Sequence, residues 1–161
     1  MTPPHQTKYV KPGQTKTVVA RCPGRRHLFA GGFQRTDFVS RGGNFVTESR
    51  AVSAKAWRVT GHAFGRFGGE LTAIAYCVRS KRPLLRELSA STTVGRGAFG
   101  TATTPKCPAG RRMTVGGFSA NGSTSAFFAD GSINRDGSWS ASAFNTGSAS
   151  SLTAYGYCLK G

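Results

Sequence analysis

Four cysteines and two arginine pairs are the residues here with the chemistry to cross-link or to hold an anion, and both sets occur in duplicate. Cys22-Pro23-Gly24-Arg25-Arg26-His27-Leu28-Phe29-Ala30-Gly31-Gly32-Phe33 returns, without a gap, as Cys107-Pro108-Ala109-Gly110-Arg111-Arg112-Met113-Thr114-Val115-Gly116-Gly117-Phe118. Downstream of each copy stands a tryptophan, Trp57 or Trp139, and then a closing segment, Leu71 to Cys77 or Leu152 to Cys158. The chain is therefore read as a tandem duplication, and every candidate residue can be compared with its counterpart in the other copy.

One cysteine opens and one closes each copy. Of the three ways to pair four cysteines, Cys22 with Cys77 and Cys107 with Cys158 is the symmetric one. Each bridge would tie the first strand of a module to its last. In the chain-entropy account a loop of this length contributes roughly 4 kcal/mol, a large share of a small domain's stability. Structural zinc sites draw their ligands from close pairs, and no two cysteines are close here, so no metal is expected. Disulfides imply an oxidising compartment, and a secreted protein is the expectation. The N-terminal Met1-Thr2-Pro3-Pro4-His5-Gln6-Thr7 lacks the apolar core of a signal peptide, so a leader removed beforehand, or release with a particle, is expected. No apolar run reaches membrane-spanning length.

The chain carries 22 basic and 6 acidic residues, a formal charge of +16. Sixteen of the cations precede Leu88, against Asp37, Glu48, Glu70 and Glu87. The later part has few charges of either sign. A fold written twice with such different charge does not need the cations, which points to a binding role for the first copy. Arg25, Arg26, Arg111 and Arg112 form the expected basic corners, with Arg58, Lys81 and Arg82 extending the field of the first. Such a surface attracts phosphate or acidic polysaccharide. Nucleic acid would be held only non-specifically, because single-strand binding wants aromatics interleaved with the cations on an exposed face, and both tryptophans are placed inside by the alternation described below.

Catalytic constellations are thin. His27 and His62 occur only in the first copy; Met113 and Phe144 stand near their equivalent places, which makes both histidines half-buried strand residues rather than general bases. The single carboxylate recurring in each copy, Glu48 and Asp130, is expected to cap turn amides or pair with an arginine. Bridged cysteines leave no thiol nucleophile. No G-x-S-x-G, metal-binding histidine pair or phosphate loop is written. No catalytic residue and no cofactor is expected.

Short β-branched runs bounded by glycine, proline and asparagine are the elements that must position these residues. Thr15 to Cys22 reads as a strand after the turn Lys11-Pro12-Gly13-Gln14, and Thr101 to Thr104 is its counterpart. Trp139, Ala141 and Ala143 alternate with Ser140 and Ser142; Trp57, Val59 and Gly61 alternate with Arg58, Thr60 and His62. The adjacent glycines in the strand after each Cys-Pro turn are read as space for the module's tryptophan. The closing strands look apolar on both faces, as if covered on both sides. Helical periodicity is absent, Pro83 to Leu88 being too short to hold a helix unaided.

The chain resembles a group of secreted actinobacterial proteins with tandem repeats, in which Cys-Pro-x-Gly runs to Gly-Gly, then Glu-Ser-Arg, tryptophan and an aromatic-x-Cys close. The residues carrying the likeness include Cys22, Pro23, Gly31, Gly32, Glu48, Ser49, Arg50, Trp57, Tyr76 and Cys77, with Cys107, Pro108, Gly110, Gly116, Gly117, Trp139, Tyr157 and Cys158 in the second copy, where Asp130-Gly131 replaces Glu-Ser. That resemblance implies an extracellular β module without an assigned activity. Vitelline-layer proteins of the β-prism type have a more distantly similar rhythm, but in three repeats.

The expected architecture is all-β: two tandem antiparallel modules, sandwich-like and related by a pseudo-twofold, each stapled by one disulfide, with a β-prism as the alternative. Residues 1–8 form a loose arm, 9–79 the first module, 80–91 a docked connector and 92–161 the second module. The expected function is a non-catalytic secreted structural or adhesive component of an extracellular assembly, partnered by its own copies or other subunits. The alternative is a basic module for acidic polysaccharide or, non-specifically, nucleic acid.

Overall fold

The computed structural model describes residues 3–35 and 42–160. Among them the secondary structure is strand alone, twelve strands in three antiparallel sheets. The first copy supplies β1 (His5–Val10), β2 (Thr15–Arg21), β3 (Arg26–Arg35), β4 (Gly42–Ser53), β5 (Ala56–Gly65) and β6 (Gly69–Arg79). The second supplies β7 (Leu85–Val94), β8 (Ala98–Thr103), β9 (Arg111–Ser119), β10 (Ala126–Ile133), β11 (Trp139–Asn145) and β12 (Ser150–Lys160). One sheet runs β1-β6-β3, another β10-β11-β8, and the largest runs β2-β5-β4-β9-β12-β7 through both copies. Sheets of three, three and six strands do not show the threefold repetition of a prism.

Strand order corresponds between the copies: β1-β6-β3 answers to β7-β12-β9, and β2-β5-β4 to β8-β11-β10. Even the irregularities recur. The ladder of β4 with β5 slips between Val46 and Glu48, and that of β10 with β11 slips between Phe128 and Asp130, the equivalent place. The halves join where β4 meets β9, with Glu48 opposite Ser119 and Ser49 opposite Phe118. There the Ala120 N–H donates to the Thr47 carbonyl at 2.8 Å.

Each tryptophan lies over the first glycine of its pair. A Cβ on Gly31 would overlap the Trp57 ring, and one on Gly116 the Trp139 ring, as the sequence led one to expect. Trp57 is fully buried and donates from Nε1 to Ser49 Oγ at 2.9 Å, whereas Trp139 is half-buried and donates to the Gly117 carbonyl at 3.1 Å. One continuous apolar core runs through both copies, from Val18, Val59 and Leu71 to Ala141, Leu152 and Tyr157. Both disulfides form as paired above, Cys22–Cys77 and Cys107–Cys158.

Three expectations are revised. The arm ends sooner than residue 8, because His5–Val10 is a strand on the edge of β6, with His5 opposite Ile74 and Val10 opposite Gly69. Only Val10 of that strand is buried, so the main-chain ladder holds it and no apolar alternation announces it. The connector is likewise short: from Leu85 the chain is already in β7, paired along β12 from Leu159 to Ser150. The closing strands also differ. β12 is covered over most of its length, but β6 alternates and leaves Tyr76 and Val78 exposed.

Candidate anion-binding corner

The Cys22–Cys77 bridge decides which cations of the first copy meet. It brings the turn after β2 against the end of β6, so that Arg25, three residues beyond one cysteine, lies beside Arg79 and Lys81, two and four beyond the other. Gly24 takes the left-handed conformation at φ +54° and closes the turn, with the Arg26 N–H donating to the Pro23 carbonyl at 3.2 Å. The Ser80 N–H then donates to the Arg25 carbonyl at 3.3 Å, fixing the last turn of one segment on the other. Arg26 sits opposite Arg79 in the β3–β6 ladder.

Around this junction opens a basin lined by Arg25, His27, Lys55, Arg79, Ser80 and Lys81, about 670 Å³ in volume. Lys55 comes from the turn between β4 and β5, held there because the Cys22 N–H donates to its carbonyl at 2.8 Å. Its ammonium donates to the Gly24 carbonyl at 2.7 Å. The half-buried His27 ring places Nδ1 3.1 Å from the Ser80 carbonyl. Arg25, Lys55, Arg79 and Lys81 are all exposed, and among the described residues none of the four pairs with a carboxylate. Concave and lined by cations, the basin favours a multiply charged anion.

The other arginines singled out in the sequence scatter. Arg82 is exposed and does not line the basin, its N–H received by Ser80 Oγ at 3.2 Å. Arg58 lies on the solvent face of the six-stranded sheet, in a 2.6 Å ion pair with Glu48, and does not line the basin. Glu48 also accepts from Arg50 Nε at 2.8 Å and Thr60 Oγ1 at 3.0 Å. Burial alone would push the Glu48 carboxyl up, but the hydrogen bonds from Arg58, Arg50 and Thr60 outweigh it and hold the group below the usual carboxylate range. Asp130, its counterpart, is exposed and accepts from the Gly131 N–H at 2.7 Å. In the second copy Arg111 donates to the Cys158 carbonyl at 3.3 Å, and Arg112 is exposed. The places equivalent to the basin hold Gly110, Arg112, Gly137 and Lys160, so the corners are not alike.

Lys55 and Arg79 escaped the sequence reading. Arg79 was within its reach, since pairing Cys22 with Cys77 already sets position 79 beside position 25. Lys55 had no such signal, because its place follows from a hairpin turn whose backbone meets Cys22.

Compared with known protein families, with curated proteins and with solved structures, the chain finds no match.

Proposed function

We propose that this protein is a non-catalytic adhesive component of an extracellular assembly, holding acidic polymers through the basic corner of its first half. The observation carrying the reading is the convergence of Arg25, Lys55, Arg79 and Lys81 on one basin where, among the described residues, none of them pairs with a carboxylate. Two disulfides suit an oxidising location, and with every cysteine bridged no thiolate is left for nucleophilic chemistry. The resemblance to secreted repeat proteins rests on the motif residues alone. The test is retention on an immobilised polyphosphate or polyuronate across a salt series. Wild-type protein should be held at low salt and released as salt rises, because the contacts are exposed and screened. A variant with all four cations changed to alanine should elute at markedly lower salt. Equal elution of the two would refute the reading.

A second reading, self-association, is favoured by the contrast between copies. Where β4 covers the second half, Tyr157 is 1% exposed and Gly117 abuts the Ser49 carbonyl; the counterpart Tyr76 is 40% exposed and a Cβ on Gly32 would meet open space. Light scattering at high salt separates the two readings. Mass rising with concentration there favours assembly, and a monomer at every concentration leaves adhesion alone.

A further inference from the structure

The six-stranded sheet carries a second polar concavity, on its solvent face and across the seam between the halves. It is a groove of about 430 Å³ lined by Glu48, Arg50, Arg58, Thr60, Asn121 and Tyr155 among others. We infer that this groove binds a hydroxylated ring bearing one acidic group, an acidic sugar unit, independently of the basic corner.

Three observations carry it. First, the duplication acts as an internal control. Arg50, Arg58 and Thr60 have Ser132, Ser140 and Ser142 at the equivalent places, and Tyr155 has Ile74; strands of the same kind form without these side chains, so the fold does not require them. Second, the cluster is charge-unbalanced and not fully satisfied. Among the described residues two guanidinium groups face one carboxylate, and Arg58 Nε is buried with no hydrogen-bond partner while a third of that side chain, 34%, remains exposed. A buried polar atom left in this state asks for a missing acceptor nearby, and an anion drawn to the open guanidinium edge is the natural one. Third, the walls are short hydroxyls and an amide rather than apolar side chains. Asn121, at φ +50°, is fixed by donating to Ser151 Oγ at 3.0 Å and Thr153 Oγ1 at 3.1 Å, and Arg50 lies 5.0 Å over the Tyr155 ring. Donors and acceptors held in place beside a fixed aromatic suit a polyhydroxylated ring, not an apolar tail.

The acid can be a uronate carboxylate or a sugar phosphate, since both offer paired oxygens to a guanidinium. Binding of trigalacturonic acid, glucose 6-phosphate, uncharged maltotriose and inorganic phosphate is followed by NMR amide shifts on the intact protein at physiological salt. Saturable shifts at Thr60, Asn121 and Tyr155 with one or both acidic sugars, and none with maltotriose or inorganic phosphate, are expected; the tighter of the two acids identifies the source. Arg58→Ser, the residue that the second copy already tolerates, should weaken that binding about tenfold or more, as for loss of a charged hydrogen bond. The Lys55→Ala/Lys81→Ala variant should leave it within about twofold. The inference fails if neither acid binds, if maltotriose or phosphate binds as well, if the shifts centre on Arg79 and Lys81, or if folded Arg58→Ser binds like wild type. Should Arg58→Ser not fold, the wild-type shift map alone decides.

Discussion

Adjacent glycines with the same written pattern do different work. Gly31 leaves no room for a Cβ because the fully buried Trp57 ring fills it, whereas Gly32 faces open space. In the second copy both positions are occupied, Gly116 by the Trp139 ring and Gly117 by the backbone of β4. Gly31→Ala is therefore expected to destabilise by about 1–3 kcal/mol, the usual penalty for overpacking a core that cannot move aside. Gly32→Ala should be neutral or slightly stabilising, since alanine is favoured over glycine in a strand. Thermal unfolding of the two variants checks the contrast; equal losses would show that the strand, not the tryptophan, demands glycine. The alternation around Trp57 and Trp139 was legible in the sequence because period two writes burial directly into residue type. Which glycine meets the ring was not, because both have the same side chain and only the packing of a second sheet separates them.

Elements were legible in proportion to the apolar pattern they carry. β5 and β11 place Val59, Ala63, Ala141 and Ala143 inward, and could be read at sight. β1 buries only Val10, so its sequence looks like a polar tail although its backbone pairs through six residues. β7 was obscured in the same way: its half-buried Leu88, Ala90 and Thr92 alternate with exposed polar residues, and a proline shortly before it mimics a linker. The basic corner was half legible, because cysteine pairing predicts which chain segments meet but says nothing of turns that arrive from elsewhere. For β1 the consequence can be measured. Removing residues 1–8 would strip most of the ladder from β6, along with the Thr7–Thr72 hydroxyl contact at 2.7 Å, and expose a long unpaired edge. The truncated protein should unfold at lower temperature and associate with concentration, read by calorimetry and light scattering. Unchanged stability would mean that this strand merely decorates the sheet.

At the scale of the whole molecule, what joins the halves is as telling as what repeats. Phe33 lies 6.2 Å from Phe118 and Phe45 4.7 Å from Phe127, each ring meeting its own counterpart from the other copy. Tyr157 breaks that parity. It belongs to the second copy, yet its ring lies 5.5 Å from that of Trp57, and its hydroxyl accepts from the Ala51 N–H at 2.9 Å. Burial pushes the Tyr157 hydroxyl far above the ordinary tyrosine range, with the nearby Glu87 charge adding to it. The folded protein therefore keeps the phenol protonated at pH values where the unfolded chain has already released that proton. The stability linked to this group is complete below the unfolded value near 10 and is lost as pH rises above it, at about 1.4 kcal/mol per pH unit. Tyr157→Phe removes this linkage and also orphans the Ala51 N–H, at a cost of about 1–3 kcal/mol at neutral pH. The variant should thus be the less stable protein at pH 7, with the gap narrowing as pH climbs past 10. Denaturant unfolding at a series of alkaline pH values tests it: a gap that stays constant would mean that the phenol ionises in the folded protein as it does in the unfolded chain, and that the joint between the halves is wetter than its burial implies.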